Sequence, residues 1–297
     1  MGMSVGWAVQ KDIDSQDIDS RAALTRAWEL GINHWDTADS YGNGHSESII
    51  GSMWETIPRR DIFLATKVGW TMGPHNHYYH PGQMRQQFES SLTNLNTDVI
   101  DLLYLHHCDF GASDEYFDDA NELVHRLREE GRVRYIGLSD WSNEKLMKFA
   151  DRVHPDVLQP YRNVMDDTYV TSGLERWVDA NHVGVCFFSP LKHGLLTGKY
   201  KTVVSFTEGD WRLNVKDFQN PAIIEQMRNN RLKLEAYFAH HPHPVLHGVI
   251  DSLLTDAATG CVLLGQRNVQ QVEAAATLGK TLSVEDSNWV KSLFQRK

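Results

Sequence analysis

Short apolar runs rich in β-branched residues alternate with stretches of helical periodicity along most of the chain. Eight runs read as strands: residues 3–9, 32–36, 62–68, 99–106, 133–139, 157–159, 183–188 and 260–264. Helical patterns fill the gaps. Ala23, Ala27 and Leu30 recur at i, i+4 and i+7, with Leu24 and Trp28 widening the stripe, the spacing that keeps side chains on one helix face. Residues 122–130 repeat the pattern with Leu123, Val124 and Leu127. Gly31 and Gly131 each stand between a helix and the next strand, where a left-handed residue closes a helix. The strand runs are continuous rather than alternating, as parallel strands buried on both faces require. Eight such alternations predict an α/β protein, a (β/α)8 TIM barrel forming one domain over residues 1–297, with an irregular segment at about 201–221. A doubly wound open sheet is the competing arrangement.

The formal net charge of −10 argues against a nucleic-acid or anionic-membrane partner, which needs a basic face, though it leaves room for a local basic pocket. No apolar run approaches the roughly 20 residues needed to span a bilayer. The N-terminal stretch lacks the charged and apolar regions of a signal peptide. Cys108, Cys186 and Cys261 lie far apart, without CxxC spacing. Cys186 and Cys261 sit in the apolar runs VGVCFF and GCVLLG and read as buried small hydrophobes. A reducing, cytoplasmic setting is expected.

Candidate chemistry gathers at the strand ends, where the loops of a barrel build its active face. WDTADSYGNGHSE places Asp36 and Tyr41 after the second strand. ATKVG ends the third with Lys67, DLLYLHHCD the fourth with His106 and His107, IGLSDWS the fifth with Ser139 and Asp140, and LQPYRN the sixth with Gln159 and Asn163. Ser189 and Lys192 follow the seventh, Gln266 and Arg267 the eighth. Singly, Asp36 and Tyr41 suit an ordinary turn, and Lys67 a snorkelling surface lysine. Together they suit proton transfer. A buried Lys67 ammonium paired with Asp36 would draw the Tyr41 phenol down from about 10, so that Tyr41 donates a proton to a carbonyl oxygen near neutral pH. No side chain supplies a hydride, so such a site requires a cofactor. The stretch from Gly42 to Glu47 is not a dinucleotide loop, because Glu47 stands where the third glycine belongs and no acid follows about 20 residues on. It reads as a turn, with Ser46 capping the helix ESIIGSMW.

These blocks resemble the aldo-keto reductases. WDTADSYGNGHSE is similar to that family's DTAxxYGxGxSE motif, and TKVG, DLLYLHH, GRVRYIGLSD and FSPLKHGLLTGKY follow in the family's order, over roughly residues 3–276. The resemblance implies a barrel that transfers hydride between NADPH and a carbonyl without a metal. It implies a catalytic tetrad of Asp36, Tyr41, Lys67 and His106. Tyr41 is then the general acid and base, Lys67 is salt-bridged to Asp36, and His106, five residues after Asp101, orients the carbonyl. For the cofactor it implies Ser139 and Asp140 on the nicotinamide amide, the latter where the family more often has Asn, with Gln159 beside them. Phe188 then stacks where Tyr is usual. Ser189, Pro190, Leu191, Gly194 and Lys199 run along the pyrophosphate, and Arg212 contacts the phosphates. Gly265, Arg267 and Gln271 follow the eighth strand, with Arg267 pairing a 2′-phosphate. Ala274 and Ala275 replace the family's Glu-Asn near adenine, which leaves NADH open beside NADPH. The hairpin that often precedes the family's first strand is not read in this sequence.

A small-molecule carbonyl or sugar substrate is expected, walled by Trp7, Trp70 and His107. Three histidines and two tyrosines within residues 70–80 suggest a polar, aromatic-lined pocket; the competing reading is a solvated loop of packed aromatics. Trp141 and residues 109–117 are further candidate walls. His240, His241, His243 and His247 lack the Cys or carboxylate that completes an ordinary zinc set, and their neighbouring prolines break a helix, so a loop between helices is expected there. His106 and His107, being adjacent, point to opposite faces of a strand. No metal is expected. Three function classes follow: an NADP(H)-dependent carbonyl reductase or alcohol dehydrogenase, a non-enzymatic cofactor-sensing subunit on the same barrel, or a lyase or epimerase with a retained nicotinamide. The complete tetrad favours the first.

Overall fold

The computed structural model describes residues 2–4, 13–208, 210–257 and 259–295. Eight parallel strands close into a barrel in chain order: β1 (Gly2–Ser4), β2 (His34–Asp36), β3 (Phe63–Val68), β4 (Ile100–Leu105), β5 (Val133–Asp140), β6 (Val157–Pro160), β7 (Gly184–Phe187) and β8 (Gly260–Gly265). These are the eight predicted runs. The ladder between β1 and β8 closes the ring, which removes the free edges an open sheet would have. Residues 5–9 of the first run, Trp7 among them, lie outside the described residues.

Strand side chains are buried on both faces. Leu103 and Leu105 of β4 pack with the helices, while Leu102 and Tyr104 pack inside the barrel with Ala65, Phe63 and Val157. This double burial is why the strands read as unbroken apolar runs. The helices α1 (Ile13–Glu29), α2 (His45–Gly51), α3 (Pro81–Asn94), α4 (Phe117–Glu129) and α5 (Asn143–Val153) follow the first five strands. In α4 the apolar stripe of Leu123, Val124 and Leu127 continues backwards through Ala120 to Phe117, so the helix begins earlier than the pattern at 122–130 marks. In α1, Ala23, Leu24 and Ala27 are buried, but Leu30 is 37% exposed. Leu30 does not belong to the stripe, because the helix ends at Glu29 and the chain turns away through Gly31 at φ 75°.

Past β7 the chain is irregular, apart from 3-10 turns at Lys192–Thr197, Trp211–Asn214 and Lys216–Gln219, until the helix Pro221–Tyr237. The histidine-rich stretch is a loop only as far as His243. Pro244 then opens a helical segment, since proline suits the first helical position, where no N–H is needed. His247 lies within that segment, stacked on His241 at 4.3 Å and bonded to Asp251 at 2.6 Å.

Candidate active site

Three successive left-handed residues, Gly42, Asn43 and Gly44 (φ 61°, 54° and 86°), reverse the chain after Tyr41, a conformation open mainly to Gly and Asn. Gly44 takes the N-cap position of α2, so Ser46 is not the cap. Ser46 lies in the first turn, where its Oγ accepts from Thr37 Oγ1 at 2.8 Å.

The tetrad residues converge at the C-terminal ends of β2, β3 and β4. Lys67 Nζ forms a buried ion pair with Asp36 Oδ1 and donates to the Thr37 carbonyl at 2.7 Å. It stands 5.3 Å from the centre of the Tyr41 ring. Tyr41 meets His106 edge to face at 5.9 Å. Gln159 reaches across from β6 and donates to Asp36 Oδ2 at 2.8 Å, so both Asp36 oxygens are engaged.

The electrostatics correct one expectation. Burial pushes the Tyr41 phenol up, Lys67 pulls it down and Asp36 pushes it up, and the net direction is upward. Lys67 moderates the desolvation of Tyr41 without reversing it. For Lys67 itself, burial disfavours the ammonium, but the charge of Asp36 and the proximity of Tyr41 outweigh that and move it up, keeping it charged. Burial, then Lys67, pushes the His106 imidazole well below its ordinary value. His106 is therefore neutral near pH 7, and its Nδ1 is enclosed without a hydrogen-bond partner among the described residues.

Two acids beside the tetrad were not singled out from sequence. Glu47, noted there only for spoiling a glycine motif, is buried and accepts from Thr66 Oγ1 at 2.7 Å and Asn94 Nδ2 at 3.2 Å. Asp39 is buried, and burial, with the charge of Glu47 adding, pushes its carboxyl up to about 7. The available signal was an acid two residues before Tyr41, at the end of a buried strand. The folded protein thus holds a proton on Asp39 that the unfolded chain has released above about pH 4. The contribution of Asp39 to stability therefore falls as pH rises from about 4 to about 7 and levels off above that. Asp39→Asn is expected to raise the urea midpoint more at pH 8 than at pH 5; equal shifts at the two pH values would refute the buried, protonated Asp39.

The remaining predicted residues line the rim from β5 round to β8. Ser139 Oγ donates to the Gln159 carbonyl at 3.1 Å. The Asp140 carboxylate accepts the amides of Cys108 at 2.6 Å and Ser142 at 2.7 Å, tying the ends of β4 and β5 together. Phe188 packs edge-on to Trp141 at 4.7 Å. Ser189, Lys192, His193 and Gly194 follow with φ of 55°, 46°, 56° and 89°. Non-glycine residues held there cost on the order of 1–2 kcal/mol each, and runs mixing right- and left-handed residues gather backbone N–H groups into anion-binding nests. Lys192 is buried against Asp166 and Asp217, 2.7 Å from the latter. Lys199 is exposed, beside Tyr200.

Arg212 grips Asp210 through Nε at 2.9 and 3.1 Å, over the Phe206 ring at 4.2 Å. Arg267 is exposed, but partial desolvation of its guanidinium, then the charge of Arg212, pushes it down, so two cationic side chains from separate loops approach one another. Gln271 Oε1 accepts the Arg267 amide at 2.7 Å. A cavity of about 440 Å³ lies nearby, lined by Trp141, Tyr161, Lys192, His193, Trp211 and Asp217 among others; its lining includes none of the tetrad.

Most aromatic side chains of the loop at 70–80 pack against neighbouring rings. Tyr79 is fully buried, with its hydroxyl on the His107 carbonyl. His75 stacks on His80 at 4.0 Å and His77 on Tyr116 at 4.3 Å, and Tyr78 donates to Asp109 at 2.7 Å. The aromatics pack on one another, as in the competing reading. Trp70 is 41% exposed and lies 5.1 Å from His106 and 5.0 Å from His107. His107 is buried, accepts the Asp109 amide at Nδ1 (3.1 Å), and is pushed down to about 4 by burial.

A parallel eight-stranded barrel with an acid, a lysine, a tyrosine and a histidine at successive strand ends defines a class, and comparison with known proteins places the chain in it. The aldo/keto reductase family profile matches residues 3–293, and the chain belongs to that family of oxidoreductases. It is similar to the aldo-keto reductase yakc [NADP(+)] of Schizosaccharomyces pombe, 31% identical over 209 residues, which cover 67% of this chain and 60% of that protein. It is similar to the aldo-keto reductase YhdN of Bacillus subtilis, 29% identical over 279 residues, covering 93% of this chain and 82% of that one. A glycerol dehydrogenase from Gluconobacter oxydans shares the fold with a TM-score of 0.81 at 24% identity, over 98% of this chain and 90% of that one. No described helix is long and apolar enough to cross a membrane.

Proposed function

We propose that this protein is an NADP(H)-dependent reductase that interconverts a small carbonyl compound and its alcohol, with Tyr41 as the proton donor. One observation carries the reading: the Tyr41 ring lies between the Lys67–Asp36 ion pair and a neutral His106. Tyr41 is then a protonated phenol at neutral pH, held beside a cation that offsets the negative charge left when the proton departs. Neutral His106 donates a hydrogen bond to the carbonyl oxygen without competing as an acid. Gln159 and Lys67 occupy both oxygens of Asp36, which keeps that carboxylate from taking the proton instead. Trp70, exposed above His106, forms a wall against the substrate.

The rim fits a nicotinamide dinucleotide. The left-handed run at 189–194 suits the pyrophosphate, Phe188 offers a ring face, and Arg212 with Arg267 suits phosphate. Ser139, Asp140, Pro190, Leu191, Gly194, Lys199, Gly265 and Gln271 complete the proposed cradle. When bound, the cofactor supplies the hydride.

Titration with NADPH and with NADH, followed by quenching of tryptophan fluorescence, tests this. Tight NADPH binding is expected, and Arg267→Ala should weaken NADPH roughly tenfold, the scale of one charge-assisted contact, while leaving NADH unchanged. Failure of both dinucleotides to bind the intact protein would overturn the proposed function. An equal loss for both in Arg267→Ala would remove Arg267 from the 2′-phosphate alone.

A further inference from the structure

The barrel interior holds a second constellation that the tetrad does not use. Cys186 on β7 and Cys261 on β8 are 75 residues apart in sequence but stand directly opposite each other in the strand register. Their sulfurs are 3.3 Å apart. His34 of β2 faces them from across β1, with Nδ1 at 3.7 Å from the Cys261 sulfur. The β1 residue in register with His34 is Gly2. The three ligand atoms lie within 4.8 Å of one another. Reading the cysteines as isolated hydrophobes missed this, because only barrel closure brings β8 back to β1 and β2.

We propose that His34, Cys186 and Cys261 form a binding site for a thiophilic divalent cation such as zinc, one layer deeper in the barrel than Asp36. Tetrahedral zinc, with bonds of about 2.3 Å to sulfur and 2.0–2.1 Å to nitrogen, holds two thiolates about 3.8 Å apart and a thiolate and imidazole nitrogen about 3.5 Å apart. The observed 3.3 and 3.7 Å differ from those values by a few tenths of an ångström, within reach of small side-chain rotations. Soft sulfur with imidazole selects such ions over magnesium or calcium. The other His34 nitrogen, Nε2, is enclosed without a hydrogen-bond partner among the described residues, an unusual state for a buried polar atom. His34 and Cys261 are only partly buried, which gives an ion a path from the N-terminal end of the barrel. His34 precedes Asp36 by two residues on one strand, so the site lies about 6–7 Å from that layer. On binding, each thiol becomes a thiolate, and up to two protons per ion pass to the buffer.

Cobalt(II) is the probe. Added to the protein kept reduced by a phosphine, it is expected to saturate at one equivalent. Saturation should produce a thiolate-to-cobalt charge-transfer band and the intense visible bands of tetrahedral coordination, both bleached by zinc. Cys186→Ala and Cys261→Ala should each lower affinity at least about a hundredfold, and His34→Phe at least about tenfold, while Cys108→Ser leaves binding unchanged. Absence of the charge-transfer band in the intact protein would overturn the site. So would its survival in the Cys186→Ala/Cys261→Ala double variant, or unaltered affinity in His34→Phe. X-ray absorption of the zinc-loaded, unsubstituted protein decides the matter even where a variant folds poorly: a shell with sulfur and imidazole nitrogen supports the site, and one of oxygen and nitrogen alone refutes it. These readouts do not depend on reductase activity.

Discussion

Tyr41→Phe is expected to lower the rate of carbonyl reduction by about 10²–10⁴-fold, the contribution typical of a positioned general acid, while leaving dinucleotide affinity nearly unchanged. The substitution removes one oxygen and keeps the ring that packs edge-on to His106, so the barrel has little reason to rearrange. It acts on a phenol that stands beside both Lys67 and His106 and stays protonated at neutral pH. The upward shift of the phenol sets the sign of the pH dependence. Reduction needs the protonated phenol and should be level through neutral pH, falling only in alkali. The reverse oxidation needs the phenolate and should rise with pH over the same range. The measurement is the pre-steady-state rate with saturating NADPH and an aldehyde for reduction, and with saturating NADP+ and the corresponding alcohol for oxidation. A Tyr41→Phe enzyme that keeps its reduction rate would eliminate Tyr41 as proton donor.

Arg162→Leu is expected to cost about 3 kcal/mol of stability, at the lower end of the range for breaking a buried ion pair. Arg162 is fully buried between the rings of Tyr169 and Phe187, at 4.6 and 4.7 Å. It binds Asp167 through Nε at 2.8 Å and Nη2 at 3.0 Å, Asp256 at 2.9 and 3.0 Å, and the Leu253 carbonyl at 3.0 Å. Leucine fills part of the slot but leaves two acids facing each other. The loss stays at the lower end because both acids are partly exposed and Lys291 remains 2.7 Å from Asp256. Burial alone would raise the Asp256 carboxyl, but Arg162 and Lys291 bring it below its ordinary value. Its contribution is therefore present above about pH 4 and is lost as pH falls through the lowered value. The gap between the variant and the parent should narrow in acid. Urea denaturation at pH 7 and at about pH 2.5, below the ordinary carboxylate range, measures both; a loss under about 1 kcal/mol at pH 7 would show that this network is not holding the β6 loop.

Strands such as β3 and β4 were legible because they are buried on both sides and read as one apolar run. What escaped the sequence reading was mostly pairing at a distance. The partners of Gln159 and Cys186 lie 123 and 75 residues away, and no local pattern announces them. The Asp140 carboxylate accepts the amides of Cys108 and Ser142, and the first of these, 32 residues away, has no local signal either. Local conformation caused the smaller misses. Ser46 suited a cap by type, but left-handed Gly44 takes that place. Leu30 fitted a stripe by spacing, but the helix had already ended. The direction of the Tyr41 shift was missed because a sequence shows the charge beside a phenol but not how thoroughly water is excluded from it.

The hydrogen bond from Gln159 to Asp36 joins the second strand to the sixth across the barrel, and that has a consequence for how the protein is made. Contacts of such long sequence separation form only after most of the loop-closure entropy has been overcome. During synthesis, Asp36, Lys67 and His106 leave the ribosome long before their sixth-strand partner exists. The buried ion pair must then wait in a partly open half-barrel, where water still competes for both charges. Recovery of the assembled site after dilution from denaturant therefore marks closure of the ring, later than the appearance of helical signal.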